Sequence, residues 1–258
     1  MSPDIWTQCA QKFKFSSFDG NPYRVVEAQH IIATRKLVDS DEEQAVLEDL
    51  IDEAKPRKPY DDECKSYHYL LWTPFRYPPL PYGSRFGSPD RRGLWYGSME
   101  IETAFAEKAY YTFLLRSGSK ADFGVFDTHI TTFCVSVSTR ASVDLTRLPF
   151  KKFEKELTAP DSYTHSQRIG SELRDQNTEV ICFKPARYSN SGVNIAIIKI
   201  SAFKNHKPQE ANSWFCTSSE KTVEFKPAGP QSPSAKRTIF QLSDFEIDGK
   251  LPSPQLGR

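Results

Sequence analysis

Apolar residues recur at helical spacing in parts of the first half of this chain, and short alternating runs take over after about residue 125. At 40–54, Val46, Leu47, Leu50, Ile51 and Ala54 share one face of a helix, behind Ser40 and Glu43 as a capping-box pair. Its other face carries Asp41, Glu42, Glu43, Glu48, Asp49, Asp52 and Glu53, as a solvated surface does. The run Lys55-Pro56-Arg57-Lys58-Pro59 should stop it. A second helix is predicted to start after Ser98 as N-cap and to run to about Leu115, with Ile101, Ala104, Phe105 and Ala109 inward. Glu107 falls on the stripe of Ala104 and Tyr111, at the border of the apolar face, and is the carboxylate expected to be partly buried.

Phe133, Val135 and Val137 then alternate with Cys134, Ser136 and Ser138, which predicts a strand. Further strands are expected at 179–184, 193–200, 213–216, 221–225 and 237–242. A third helix is expected at 163–176, capped by Asp161 or Ser162, with Tyr163, Ile169 and Leu173 inward. The segments 226–236 and 252–258 have the Pro, Gly and Ser content of connections. The order of elements predicts an α+β fold with a mostly antiparallel sheet and flanking helices.

Composition narrows the picture. At 258 residues the chain is long enough for one large domain. Lys+Arg 34 against Asp+Glu 33 leaves a net charge of +1, so no global field points to direct nucleic-acid or membrane binding. The five cysteines are widely spaced without a CxxC pair, as expected of reduced thiols rather than a disulfide framework or a zinc site, and the five histidines show no ligand spacing. The N-terminus lacks a signal-peptide core and no segment has the length of a membrane helix, so a cytoplasmic location and no bound metal are expected. The sequence has no GxGxxG after a strand, GxxxxGK[ST], HExxH or GxSxG motif.

One local composition stands out. Trp72–Tyr111 holds Arg76, Arg85, Arg91 and Arg92 with Trp95, Tyr96 and the glycines Gly83, Gly87 and Gly93, just before the helix bearing Glu107. Guanidinium forks match phosphate oxygens and aromatic rings stack on flat heterocycles. The stretch reads either as a site for a phosphorylated aromatic ligand such as a nucleotide, Arg76 and Arg24 among its binding residues, or as a proline-rich surface loop with solvated arginines.

The same stretch resembles the RES-domain family of NAD-degrading toxins and their relatives. YRVVEAQHIIATRKLVDS (23–40), TPFRYPPLPYGSRFGSPDRRGLWYGSMEIETAFAEKAYY (73–111), QRIGSELR (167–174), SGVNIAII (191–198) and the ending FQLSDFEIDGKLPSP carry the likeness. It implies one RES-like domain over 22–254, flanked by an N-terminal extension at 1–21 and a tail at 255–258. It also implies an ADP-ribosyltransferase-like fold with a cleft for NAD, in which the nicotinamide–ribose bond is cleaved and ADP-ribose passes to inorganic phosphate or water. By position the family's catalytic residues fall on Arg24, Arg85, Tyr96 and, eleven residues beyond that tyrosine, Glu107. A substrate hydroxyl is expected from Thr164 or Ser166, because the family's Pro/Arg-Ser-Ala-Arg segment reads Lys184-Pro185-Ala186-Arg187 here, with proline at the serine position. The resemblance further implies NAD as substrate rather than cofactor, inorganic phosphate as co-substrate and an Xre-type antitoxin as partner.

The residue types suit that chemistry. Nicotinamide leaves as a neutral group from an oxocarbenium-like ribosyl centre, and a carboxylate facing that positive charge stabilises the transition state more than the ground state. Glu107 is assigned this role, with Arg24 and Arg85 on the pyrophosphate or an incoming phosphate and Tyr96 against the nicotinamide side. ADP-ribosylation of a macromolecule shares the first step and is the alternative activity. A non-catalytic NAD-binding module is the alternative of another class, raised by Pro185.

Overall fold

The computed structural model describes residues 4–28, 38–55, 65–77, 80–120, 124–188, 192–229 and 236–254. In chain order these form α1 (Ile5–Cys9), β1 (Ser16–Gly20), β2 (Tyr23–Glu27), α2 (Asp41–Ala54), α3 (Tyr69–Arg76), β3 (Trp95–Ser98), α4 (Ile101–Gly118), β4 (Phe126–Cys134) and β5 (Val137–Asp144). There follow α5 (Glu154–Leu157), α6 (Thr164–Asp175), β6 (Val180–Phe183), β7 (Asn194–Ile197), β8 (Gln209–Ser218), β9 (Thr222–Pro227) and β10 (Thr238–Gln241). The strands join one sheet in the order β1-β5-β6-β7-β3-β2-β4-β8-β9-β10. Only β5 and β6 run parallel, so the fold is α+β with a mostly antiparallel sheet.

β6 and β7 are buried at every residue because both faces of the sheet are covered, which is why they read as nearly continuous apolar runs. Val180, Cys182, Ile195 and Ile197 pack with Trp95, Leu71 and Phe75 on one face. Ile181, Phe183, Ala196 and Ile198 pack on the other with Phe86 and the α6 residues Ile169 and Leu173. Beside them α4 sets Phe105, Ala109 and Phe113 against Ile130, Trp214 and Phe225. The Phe105 ring stacks on Phe225 at 4.4 Å. Burying each such side chain contributes about 1.5–3 kcal/mol, more than helix propensity gives a whole turn, so the apolar stripe fixes which face of α4 turns inward.

The three long helices occur where periodicity predicts them, but two details differ. Ser98 ends β3 rather than capping α4; the N-cap is Glu100, whose carboxylate accepts from the Val193 amide at 3.0 Å. In α2, Ser40 Oγ accepts from Glu43 N and Glu43 Oε2 accepts from Asp39 N, yet Val46 and Leu50 are 59% and 58% exposed. Leu47 and Ile51 are half-buried, so the described residues cover only part of the stripe that the spacing predicts to be inward. The expected extension 1–21 supplies α1, which puts Ile5 and Cys9 into the core, and β1, which pairs with β5. Its first three residues and the tail 255–258 lie outside the described residues.

The feature that positions the site is a parting of strands in mid-sheet. β2 and β3 share one residue pairing, Tyr23 with Ser98, after which β2 follows β4 through Glu27. Gly97 makes that crossing possible, because a Cβ there would lie 2.7 Å from the Tyr23 carbonyl oxygen and 2.5 Å from the Trp95 ring.

Candidate active site

A cavity of about 320 Å3 lies where β2 and β3 part, with α4 and the segment around Arg85 completing its walls. Its charged lining is one carboxylate, Glu107, against Arg24, Arg85, Arg187 and Lys108. Lys108 pairs with Glu27 at 3.5 Å. The other three bases make their hydrogen bonds to carbonyls and a phenol, and among the described residues none of them is ion-paired.

Arg85 sits on a turn that several elements hold. Gly83 adopts φ +76°, and Ser84 and Gly87 exchange backbone hydrogen bonds in both directions. Gln167 Nε2, from α6, donates to the carbonyls of Tyr82 and Ser84 at 2.8 and 3.1 Å. One helical turn on, Gly170 lies so close that a Cβ would meet the Phe86 carbonyl oxygen at 2.1 Å. The QRIG segment is therefore the clamp of the Arg85 turn: its glutamine supplies donors and its glycine lets two backbones touch.

Tyr96 closes the turn from β3. Its hydroxyl accepts from the Phe86 amide at 3.0 Å and shares a hydrogen bond with Ser84 Oγ at 3.0 Å. Burial pushes the phenol up to about 12, so at neutral pH it is a hydrogen-bonding group and not a base. Tyr96→Phe would strand the Phe86 amide, and the unfolding free energy should fall by about 1–3 kcal/mol in a urea titration. An unchanged midpoint would show that the turn holds without the phenol.

Arg85, 8% exposed, donates through Nη1 to the carbonyls of Leu157 and Ala159, both at 3.1 Å, and its guanidinium lies 4.9 Å over the Tyr163 ring. Its Nη2 has no partner. Burial pulls its pKa below the ordinary arginine value, and the Arg187 charge acts in the same direction. Arg24 donates to the Tyr96 carbonyl at 3.3 Å and lies 5.3 Å over the Trp95 ring; burial brings it down to about 10, which leaves it charged at neutral pH. A desolvated cation without a counter-charge burdens the empty fold, and a bound anion would relieve it.

Glu107 is fixed from the facing strand. Asn194 Nδ2 donates to Glu107 Oε1 at 2.9 Å, and the Asn194 carbonyl oxygen accepts from Ser98 Oγ at 2.6 Å. The hydroxyl orients the amide so that its NH2 faces the carboxylate. Ser98 and Asn194 are both buried, so the bond between them is shielded from water and Glu107 is held from the protein side of the cavity.

The cavity thus gathers Arg24, Arg85, Tyr96 and Glu107, but not the three expected substrate-binding residues. Arg76 ends α3, stacked 5.9 Å over Trp72 and 6.0 Å over Tyr77. Thr164 is exposed and its hydroxyl accepts from Ser162, while the buried Ser166 hydroxyl donates to the Tyr163 carbonyl within its own first turn. Neither hydroxyl is in the cavity lining; the hydroxyls that are belong to Ser84, Ser98 and the tyrosines 23, 96, 111 and 163. Arg91 sits on the surface beside Asp90 and Asp175. Pro185 is buried and outside the lining.

Sequence reasoning missed Asn194 and Arg187. Asn194 is the one polar residue of NIAI, and a polar side chain in a fully buried strand must find a partner, which was a usable signal. Arg187 lies two residues after Pro185, in a segment where the resemblance points to a hydroxyl and not to a charge. Among the described residues no group of three or more His, Cys, Asp or Glu is arranged to hold a metal, and Cys9, Cys134, Cys182 and Cys216 are buried free thiols. No helix of the described residues is long and apolar enough to cross a membrane.

Comparison with known families gives one result: the family model of the RES domain matches residues 61–217, more than half of the chain. No curated protein matches it. The matched span carries β3, α4, α6 and β7, and so Arg85, Tyr96, Glu107, Arg187 and Asn194; Arg24 comes from β2, ahead of it.

Proposed function

The chain belongs to the RES-domain family, and from that premise we propose that it cleaves the nicotinamide–ribose bond of NAD, passing ADP-ribose to phosphate or water. The family is associated with NAD-acting toxins. One observation carries the reading for this chain: among the described residues Glu107, held by Asn194, is the single carboxylate lining a cavity with three guanidiniums that have no carboxylate ion pair. A dinucleotide supplies what is missing, an anionic pyrophosphate for the guanidiniums and a ribosyl centre that becomes positive beside Glu107.

The cavity volume, at the small end for ligand sites, suits the nicotinamide ribose with its adjoining phosphate and leaves the adenosine toward the mouth. Tyr96 and Phe183 offer apolar ring surface to the pyridine. As the C–N bond breaks, its electron pair goes to the pyridinium nitrogen, nicotinamide leaves neutral, and the ribosyl C1′ is captured by an oxygen of phosphate or water. Glu107 opposes the charge growing at that carbon. The mostly antiparallel α+β sheet with a cleft in mid-sheet agrees with an ADP-ribosyltransferase-like architecture, which is part of the same proposal. So is a toxin role with an Xre-type partner.

Incubating the purified chain with NAD, with and without phosphate, and separating the products tests the reading. Free nicotinamide with ADP-ribose phosphate identifies a phosphorylase, and nicotinamide with ADP-ribose a glycohydrolase. Intact NAD in both arms, from a folded chain, would falsify the proposal. Asn194 gives a finer check. Asn194→Ala frees the Glu107 carboxylate to rotate and should lower kcat by about 10- to 100-fold while leaving the KM for NAD nearly constant. A KM effect with unchanged kcat would place Asn194 in ground-state binding instead.

A further inference from the structure

Arg187 is the guanidinium of the cavity to which neither the pattern of the sequence nor the assigned catalytic set gives a task. It is 7% exposed, and Tyr110 packs on its guanidinium at 3.7 Å, which fixes the plane of the fork. Its Nη2 donates to the Pro160 carbonyl at 3.1 Å and to the Tyr163 hydroxyl at 3.2 Å, while Nε has no partner. Arg85 mirrors this on the face of the same Tyr163 ring, with Nη1 committed to two carbonyls and Nη2 unpartnered.

Two buried guanidiniums on one phenol ring, each anchored through one nitrogen, form a costly arrangement. Like charges in a poorly solvated pocket repel, and Glu107, which both of them feel, is a single charge already held by Asn194. Carbonyls and a ring fix the two forks and leave part of each without a partner, as suits a ligand rather than a structural ion pair. A planar guanidinium recognises oxygen pairs, and a tetrahedral oxyanion has enough oxygens to meet two forks at once.

We propose that Arg85 and Arg187, whose guanidiniums both lie against the Tyr163 ring at 4.9 and 5.9 Å, form a subsite for a tetrahedral phosphoryl group beside Glu107. This deepens the reading of the site as an NAD-cleaving centre and rests on it for the choice of dinucleotide. The group comes either from free inorganic phosphate, the attacking acceptor, or from the pyrophosphate of the dinucleotide itself. In the first case the site makes a phosphorylase: a phosphate oxygen forms the new bond to C1′ as the bond to nicotinamide breaks, and the guanidiniums hold the remaining oxygens.

The test uses the full chain and two variants, Arg187→Lys, which keeps the charge without the planar fork, and Arg187→Gln, which removes the charge. Calorimetric titration with inorganic phosphate alone, and with NAD alone, needs no turnover. The wild-type chain should bind at least one of them, and Arg187→Lys should weaken that binding about tenfold or more, the loss expected for a charge-assisted bidentate contact. Weakened phosphate binding with NAD affinity kept assigns the subsite to the free acceptor. Weakened NAD binding with no phosphate binding in the wild-type chain assigns it to the pyrophosphate. Thermal unfolding of each variant reports whether it folds, and if Arg187→Gln does not, Arg187→Lys and the same change at Arg85 carry the comparison. A wild-type chain that binds neither ligand, or folded variants that keep both affinities within twofold, overturns the proposal. A wild-type chain that binds phosphate through Arg187 yet leaves NAD intact keeps the subsite and removes the catalytic reading; NAD turnover with unaltered variant affinities does the reverse.

Discussion

Glu107→Gln should give a folded protein whose NAD turnover is lower by about a thousandfold, with the loss in kcat rather than in KM. Glutamine keeps the length of the side chain and an acceptor for the Asn194 amide, so the geometry of the cavity survives. What disappears is the negative charge facing C1′. In the ground state that carbon carries little charge, and substrate binding rests on the guanidiniums and aromatic walls, which are untouched. In the transition state the ribose is cationic, and a neutral amide gives it almost none of the stabilisation of a carboxylate in a partly desolvated pocket. Single-turnover and steady-state rates with matched circular dichroism spectra make the measurement. A variant within tenfold of the wild-type kcat removes Glu107 from the chemical step.

Gly170→Ala should destabilise the fold and the site together, although local propensity predicts the reverse. In a helix interior alanine is favoured over glycine by about 1 kcal/mol. Here the added Cβ would lie 2.1 Å from the Phe86 carbonyl oxygen, a backbone atom that cannot rotate away. Either α6 or the Arg85 turn must retreat, and overpacking of that kind costs about 1–3 kcal/mol or more. The clash outweighs the propensity gain, because the retreat also stretches the bonds from Gln167 to Tyr82 and Ser84. A net loss of about 2 kcal/mol lowers the unfolding temperature by roughly 4–8 °C in a chain of this size. Turnover should fall by up to about a hundredfold, since Arg85 adjoins the displaced carbonyl. A variant more stable than the wild type would show that the helix and the turn are not in backbone contact.

The contrast between these residues explains how much could be read in advance. Glu107 was visible because a helix brings residues three and four apart onto one face, so the stripe of Ala104, Glu107 and Tyr111 follows from covalent geometry alone. Arg85 and Tyr96 stood out by local composition and by resemblance, but what holds them, a turn pinned by the Tyr96 hydroxyl from β3 and by Gln167 from α6, needs the tertiary structure to be seen. Thr164 and Ser166 were placed near the site by their proximity to the QRIG segment. That segment does reach the cavity wall, but through Gln167 and Gly170, while Ser166 turns back to its own first turn and Thr164 faces solvent. The short strands β1 to β3 were missed because Ser-Ser-Phe-Asp-Gly and Trp-Tyr-Gly-Ser carry too few alternating positions to stand out, and their pairing partners lie far away in sequence.

By itself the sequence determined the long helices, the inward faces of α4 and α6, most of the later strands and the mixed fold class. Those properties depend on neighbours within one or two turns, or on alternation along one strand, and the chain carries them in its local pattern. Only the tertiary structure decided which charges meet. Arg24, Arg85 and Arg187 come from β2, a turn and the segment after β6, and they converge on Glu107 because β2 and β3 part after a single pairing and leave a gap under α4. No local rule encodes that gap. It exists because Gly97 lets two backbones cross closely enough to pair once and then diverge, and because α4, fixed by its apolar face against Ile130, Trp214 and Phe225, walls the opening.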